Sequence, residues 1–141
     1  MQKLAKVLLV DDDSTTTFLN SQLLRRLKVA EQFLEARNGL EALQALDLVC
    51  EELDESTGSL LVLLDVNMPV MNGIEFLERY QQHPLAQKCP AVIVVLTSSA
   101  HFRDLERIKA LPIAAEVLTK PLTSEKVEYI LQRHFLQASA T

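Results

Sequence analysis

Basic charge and cysteine are both scarce in this chain. Lys and Arg together number 14 against 19 Asp and Glu, which leaves a net charge of -5 and an isoelectric point near 5.2. A nucleic-acid surface needs a concentrated basic patch, so that class of partner is not expected. The one small cluster, Arg25, Arg26 and Lys28, falls at the end of a predicted helix, where positive charge complements the helix dipole. Cys50 and Cys89 are far apart and form no CxxC or Cys/His arrangement, so both read as reduced thiols. His83, His101 and His134 have no metal-ligand spacing. No apolar run approaches the ~20 residues that span a bilayer, and the start MQKLAKVLLVDDD has no signal-peptide cleavage site. A cytoplasmic protein is expected, with no membrane contact.

What the chain does have is a set of short apolar runs that stop at polar residues. Its 141 residues, 48% hydrophobic and 23% charged, suit one globular domain; a chain of this size buries roughly two-thirds of its unfolded surface. The central run is Leu61-Val62-Leu63-Leu64, which ends at Asp65 and is followed by Asn67, Met68-Pro69 and an Asn72-Gly73 turn. Such a run, bounded by turn signals, reads as a strand buried on both faces with Asp65 at its carboxyl end.

The same pattern recurs along the chain. Val7-Leu8-Leu9-Val10 ends at Asp11, Asp12 and Asp13, and Ser14 then opens a helix with Phe18, Leu19, Leu23, Leu24 and Leu27 at helical spacing. Residues 32–36 form a weaker strand, followed by a helix with Leu40, Leu43, Leu46 and Cys50 on one face. Residues 51–59 read as an acidic surface loop. Gly73 to about Gln82 is helical with Ile74, Leu77 and Tyr80 inward, and His83-Pro84 and Cys89-Pro90 bracket an exposed connection. Asn38 with Glu41, and Asn72 with Glu75, each set an amide cap three residues before an acid. Ala91 to Leu96 is the most uniformly apolar strand and ends in Thr97-Ser98-Ser99. A short helix follows with Phe102, Leu105 and Ile108. The fifth strand, Ala114 to Leu118, ends at Thr119-Lys120-Pro121, and Thr123 caps a last helix with Val127, Ile130, Leu131 and His134 on one face.

Strands alternating with helices imply βαβ units and an α/β fold, a doubly wound five-stranded parallel sheet. Right-handed crossovers make 2-1-3-4-5 the simplest strand order, which sets strands one and three side by side at the switch point. Asp11, Asp12 and Asp65 then meet from distant parts of the chain. Three crowded carboxylates repel one another unless a cation shares the site, and all-oxygen ligands suit Mg²⁺. Thr97 and Lys120, at the other two strand ends, supply a hydroxyl donor and a positive charge for phosphate. Asp65, on the middle strand, is the candidate nucleophile for phosphoryl transfer. Each residue also has a plainer reading: Asp11 to Asp13 as helix caps, Thr97 as a cap, Asp65 and Lys120 as solvated charges.

Val10-Asp11-Asp12, Leu64-Asp65-Val66-Asn67-Met68-Pro69 with Asn72-Gly73, Thr97-Ser98 and Lys120-Pro121 occur in that order, and over residues 6 to about 135 the chain resembles a response-regulator receiver domain of two-component signalling, with a flavodoxin-like fold. The resemblance implies that Asp65 is the phosphoacceptor, that Asp12, Asp65 and the Asn67 main-chain carbonyl ligate Mg²⁺, and that Asp11 acts through a metal-bound water. It further implies that Thr97 is the switch hydroxyl, that Lys120 binds phosphate, and that the Lys120-Pro121 bond is cis. Ser98 fits the family's need for a small residue there, and Asp13 stays outside the metal set.

One position departs from the pattern: Val117 stands where many relatives carry a Tyr or Phe that swings inward on activation. Only Leu136 to Thr141 follow the last helix, so a stand-alone domain over 1–141, with no output domain, is expected to act by protein contact. A sensor histidine kinase or phosphotransfer protein is the implied donor. A target would meet the face made by the fourth predicted helix, fifth strand and last helix, around Phe102, Arg103, Glu116, Lys126 and Tyr129; passing the phosphoryl group on, storing it and forming a homodimer are the alternatives. Self-catalysed phosphorylation with slow self-dephosphorylation is implied, not a dedicated enzyme. Two other readings stay open. One is an interaction module that is never phosphorylated; the other is an aspartyl-phosphate phosphatase, which would want an acid where Asn67 stands.

Overall fold

The computed structural model describes residues 4–52, 59–88, 90–98 and 102–135. Its elements are β1 (Leu4–Val10), α1 (Ser14–Arg26), β2 (Ala30–Ala36), α2 (Gly39–Glu52), β3 (Leu60–Asp65), α3 (Gly73–Gln82), α4 (Leu85–Lys88), β4 (Val92–Thr97), α5 (Phe102–Lys109), β5 (Ala114–Thr119) and α6 (Ser124–His134). The strands pair in parallel in the order β2-β1-β3-β4-β5, as expected. The fourth and fifth predicted helices are α5 and α6, because α4 adds one turn between them and α3.

The uniformly apolar strands lie in the middle because only there are both faces covered. Alternate side chains feed two cores. On one face Leu8, Val10, Val62, Leu64, Ile93 and Val95 meet Leu46 of α2, Phe76 and Leu77 of α3 and Ile108 of α5. On the other, Val7, Leu9, Leu61, Leu63, Val94 and Leu96 meet Leu24 of α1 and Val127 and Ile130 of α6. Fully burying each such side chain contributes about 1.5–3 kcal/mol, which makes the sheet a rigid base for whatever its ends carry.

Two helices turn a different face to the sheet than the leucine spacing suggested. In α1 the buried residues are Thr17, Ser21 and Leu24, whereas Phe18 and Leu19 are 58% and 59% exposed. Small hydroxyl residues at i and i+4 let the helix lie close to the strands, and the Ser21 hydroxyl accepts a hydrogen bond from Arg25 Nε at 3.1 Å. In α2, Ala42, Leu46, Val49 and Cys50 are buried and Leu40 is exposed in the first turn. The connection after α3 also differs, since Leu85 of α4 is buried rather than exposed. There His83 Nδ1 accepts from the Leu85 N–H at 3.1 Å and Pro84 occupies the first turn, both ordinary ways to start a helix.

The expectations for the acidic loop at 53–58, for Cys89, Ser99 and His101, for the Phe102 and Arg103 side chains and for the tail from Leu136 lie outside the described residues. Among the described residues, no helix is long and apolar enough to cross a membrane.

Candidate functional site

Strand register builds the site. Val10 pairs with Leu64, so the next residues, Asp11 and Asp65, come together at the carboxyl edge of β1 and β3. Asp65 in turn pairs with Leu96, one residue before Thr97, and Thr97 pairs with Thr119, one residue before Lys120. The Lys120 N–H donates to the Thr97 carbonyl at 2.8 Å, which ties the fifth strand end to the fourth.

Carboxylate oxygens of Asp11, Asp12 and Asp65 all lie within 4.8 Å of one another. Asp11 and Asp65 are buried, whereas Asp12 is exposed. Lys120 reaches over this cluster, its Nζ 2.8 Å from Asp65 Oδ1 and 3.4 Å from Asp11 Oδ2. Burial, with the nearby Asp65 charge, raises the pKa of Asp11, although the Asp13 N–H and the Lys120 ammonium pull the other way. Burial pulls the Lys120 pKa down, but the hydrogen bond and charge of Asp65 together with Asp11 overcome it and leave the ammonium above 10.5. Close oxygens from two buried acids and one exposed acid, only partly neutralised by a single ammonium, are a donor set that fits a hard divalent cation.

The local chain explains why Asp65 can sit there. After β3 the backbone turns through Asn67 to Pro69 and closes by a Gly73 N–H to Val66 carbonyl bond of 2.8 Å. A Cβ on Gly73 would lie 2.5 Å from the Asp65 carbonyl oxygen, so only glycine lets α3 approach this closely. Asn72 and Glu75 form the expected capping box, with bonds of 2.9 and 3.1 Å. The Asn38 pair is a variant: Asn38 accepts from the Glu41 N–H, but Glu41 accepts from Arg37 rather than from Asn38.

The family model for the response regulator receiver domain matches residues 7–132. The chain belongs to the response regulator receiver family. Receiver relatives include a probable chemotaxis protein CheY from Rhizobium etli, 33% identical over 130 residues, 92% of this chain and 92% of that protein. CheY1 of Helicobacter pylori (strain 26695) is 30% identical and covers 89% of this chain and 96% of its own length. Against multidomain relatives the coverage is one-sided, since the chain spans 52% of a CpxR homologue from Haemophilus influenzae and 29% of a protein-glutamate methylesterase from Rhodospirillum rubrum. Among solved structures, a two-component response regulator from Cytophaga hutchinsonii superposes with a TM-score of 0.79 at 26% identity, covering 94% of this chain and 97% of that one. CheY4 of Vibrio cholerae gives 0.68 at 28% identity, covering 93% and 98%.

Within this receiver the expected residues sort as follows. Asp11, Asp12, Asp65 and Lys120 converge. Thr97 is 2% exposed at the end of β4, and its hydroxyl donates to the Ser98 carbonyl at 3.2 Å. Asn67 is exposed, two residues beyond β3. The Lys120-Pro121 bond is cis. Asp13 stands apart as the cap of α1, accepting from the Thr15 N–H at 3.3 Å and the Thr16 hydroxyl at 2.6 Å. The Thr16 hydroxyl bond holds its pKa below 3.8. Val117 is half-buried and packs against the core.

The expected docking face is less free than its polar residues suggested. Glu116 is half-buried; it hydrogen-bonds the Tyr129 hydroxyl, which raises the pKa of Tyr129, and lies 3.7 Å from Arg133 Nε. Lys126 is half-buried, and its ammonium donates to the Thr119 and Pro121 carbonyls at 2.6 and 2.9 Å. Tyr129 remains 43% exposed. From sequence, Gly73 reads as a turn residue opening a helix and Lys126 as part of a docking face; the close approach to Asp65 and the bonds to the loop are seen in neither. The signal for the second was a lysine three residues after the Thr123 cap, where a capping box would have Glu or Gln.

Proposed function

We propose that residues 1–141 form one receiver unit in which Asp65 accepts a phosphoryl group from a phosphohistidine of a sensor kinase or phosphotransfer protein. A carboxylate oxygen of Asp65 attacks phosphorus in line, the new P–O bond forms as the P–N bond breaks, and the imidazole leaves. Lys120 neutralises charge on the phosphoryl oxygens and fixes their position. Thr97, whose hydroxyl now faces the Ser98 carbonyl, exchanges that partner for a phosphoryl oxygen. Asp12, Asp65 and the Asn67 carbonyl would hold Mg²⁺, and Asp11 would support it through a water. When bound, that ion supplies the charge neutralisation that lets an anionic carboxylate meet an anionic phosphoryl group.

The observation that most supports this reading is the Lys120 ammonium 2.8 Å from Asp65 Oδ1 beside two further carboxylates. A half-buried lysine pairing two acids of an acidic trio suits a site that must accept both a cation and an anion. Self-dephosphorylation is slow in this reading, since Asn67, an amide, cannot serve as a general base toward an attacking water. Phosphorylation biases a two-state equilibrium read by a protein partner on the α5-β5-α6 side. With Val117 in place of a swinging aromatic, α5 and its preceding loop carry the change. The setting is the cytoplasm.

Incubation with Mg²⁺ and acetyl phosphate, followed by intact mass measurement, tests the assignment. Wild type is expected to gain one phosphoryl group, Asp65→Asn none, and Asp12→Ala little at any Mg²⁺ concentration. Equal gain by wild type and Asp65→Asn removes Asp65 as the nucleophile.

A further inference from the structure

The chain between β5 and α6 is short, and Lys120 lies within it. Its two neighbouring carbonyls, those of Thr119 and Pro121, both accept hydrogen bonds from one ammonium, Lys126 Nζ, at 2.6 and 2.9 Å. Lys126 belongs to the first turn of α6, where its own N–H is capped by the Thr123 hydroxyl at 3.2 Å. A positive charge in that turn opposes the helix dipole, and Glu or Gln would complete a capping box at the same position. Helix stability therefore does not account for a lysine here. Two charge-assisted bonds to the carbonyls on either side of Lys120 do, and such bonds are among the stronger ones available to a half-buried side chain.

Lys120 has a long, flexible stem, so where its ammonium falls depends on how firmly its backbone is held. On one side its N–H is tied to Thr97. On the other, Lys126 clamps the segment to α6. Resting on the phosphoacceptor reading above, we propose that Lys126 is a positioning residue for Lys120: it fixes the loop so that the Lys120 ammonium meets Asp65 and the phosphoryl oxygens, without touching either itself.

Loosening the clamp leaves the three clustered carboxylates in place, because none belongs to the loop it holds. Any drift of the Lys120 ammonium away from Asp65 removes a competitor of the cation while depriving the anion of its partner. The test uses the full chain and titrates Mg²⁺ alone, then beryllium fluoride in saturating Mg²⁺, by calorimetry or NMR. Lys126→Gln retains a capping side chain but cannot donate a charged bond to both carbonyls. It is expected to melt close to the wild-type temperature, the lost bonds being offset by the relieved charge at the helix start, and to bind Mg²⁺ at least as tightly as wild type does. Its affinity for beryllium fluoride falls on the order of tenfold, the scale expected when a binding group is slightly misplaced. Lys126→Arg, which has donors for both carbonyls, restores that affinity. If wild type takes up no beryllium fluoride, the phosphoacceptor reading fails and this proposal with it. If wild type binds and Lys126→Gln binds equally well, the proposal alone is overturned. A Lys126→Gln protein that loses Mg²⁺ affinity and melting temperature together with anion affinity overturns it too, since that pattern belongs to general loosening of the fold.

Discussion

At Asp11, burial and the neighbouring Asp65 carboxylate disfavour the ionised form, whereas the Asp13 N–H and the Lys120 ammonium favour it, and the balance leaves its pKa above 3.8. In the window between 3.8 and that raised value the folded chain holds a proton that the unfolded chain has released. Stability from this group is therefore greatest at low pH, falls as pH rises through the window, and stays lost at neutral pH. Asp11→Asn keeps an acceptor for the Asp13 N–H and removes the charge. The metal-free variant is expected to melt higher than wild type at pH 7, with a flatter dependence of stability on pH across the window, and to bind Mg²⁺ more weakly. A lower melting temperature would mean that the ion pair with Lys120 outweighs the cost of burial. Much of this site was legible one residue at a time, because each polar residue ended an apolar run: Asp11 after Val10, Asp65 after Leu64, Thr97 after Leu96. Asp13 shows the limit of that reading. Three successive aspartates look alike as the end of an apolar run, and the resemblance to the receiver pattern set Asp13 apart. The geometry of the α1 cap gives the physical reason, since Asp13 holds the helix while the other two meet Asp65.

Among the elements, α1 ends in a way that costs stability. The Val29 N–H bonds the Leu24 carbonyl and the Lys28 N–H bonds the Arg25 carbonyl, at 3.2 and 3.1 Å, a Schellman closure that requires a left-handed residue just past the cap. That residue is Lys28, with φ of 56°, where a side chain is disfavoured and glycine is not. Lys28→Gly is expected to stabilise the protein by about 0.5–1 kcal/mol in urea unfolding, since a relieved left-handed penalty of about 1–2 kcal/mol exceeds the extra freedom gained by the unfolded chain. No gain would mean that the Lys28 charge at the helix end is worth as much as the strain. The elements themselves were readable to the degree that packing is uniform. β3 and β4, apolar at nearly every position, declared their burial, and α3 showed its face through Ile74, Leu77 and Tyr80. The face of α1 was hidden because the sheet is met by Thr17 and Ser21, whose small size favours close approach while their polarity argues for solvent. Spacing of leucines therefore pointed about a third of a turn away from the contact. The short α4 was hidden for another reason: four residues are too few for any period to emerge.

For the molecule as a whole, the site exists only when the sheet is assembled. Lys120 and Asp11, in contact at 3.4 Å, are 109 residues apart in sequence, and neither β1 nor β3 alone supplies the acid trio. The unfolded chain consequently has no comparable site, and a cation that binds here acts on global stability rather than on a loop. A ligand confined to the folded state stabilises it by RT ln(1 + [L]/Kd), about 1.4 kcal/mol when Mg²⁺ stands tenfold above its Kd. For a chain of this length that corresponds to a rise of about 4 °C in melting temperature. The net charge of -5 means that any salt relieves some self-repulsion, so the comparison is made at constant ionic strength with monovalent salt as the control. Asp12 is the member of the trio to remove, because it is exposed and its loss should change the metal-free melting temperature little. Wild type is expected to climb with the logarithm of Mg²⁺ concentration, and Asp12→Ala to stay level. If Asp12→Ala climbed in parallel, the ion would be stabilising the fold from somewhere other than the carboxyl edge of β1 and β3, and the acidic trio would owe its proximity to the topology of the sheet alone.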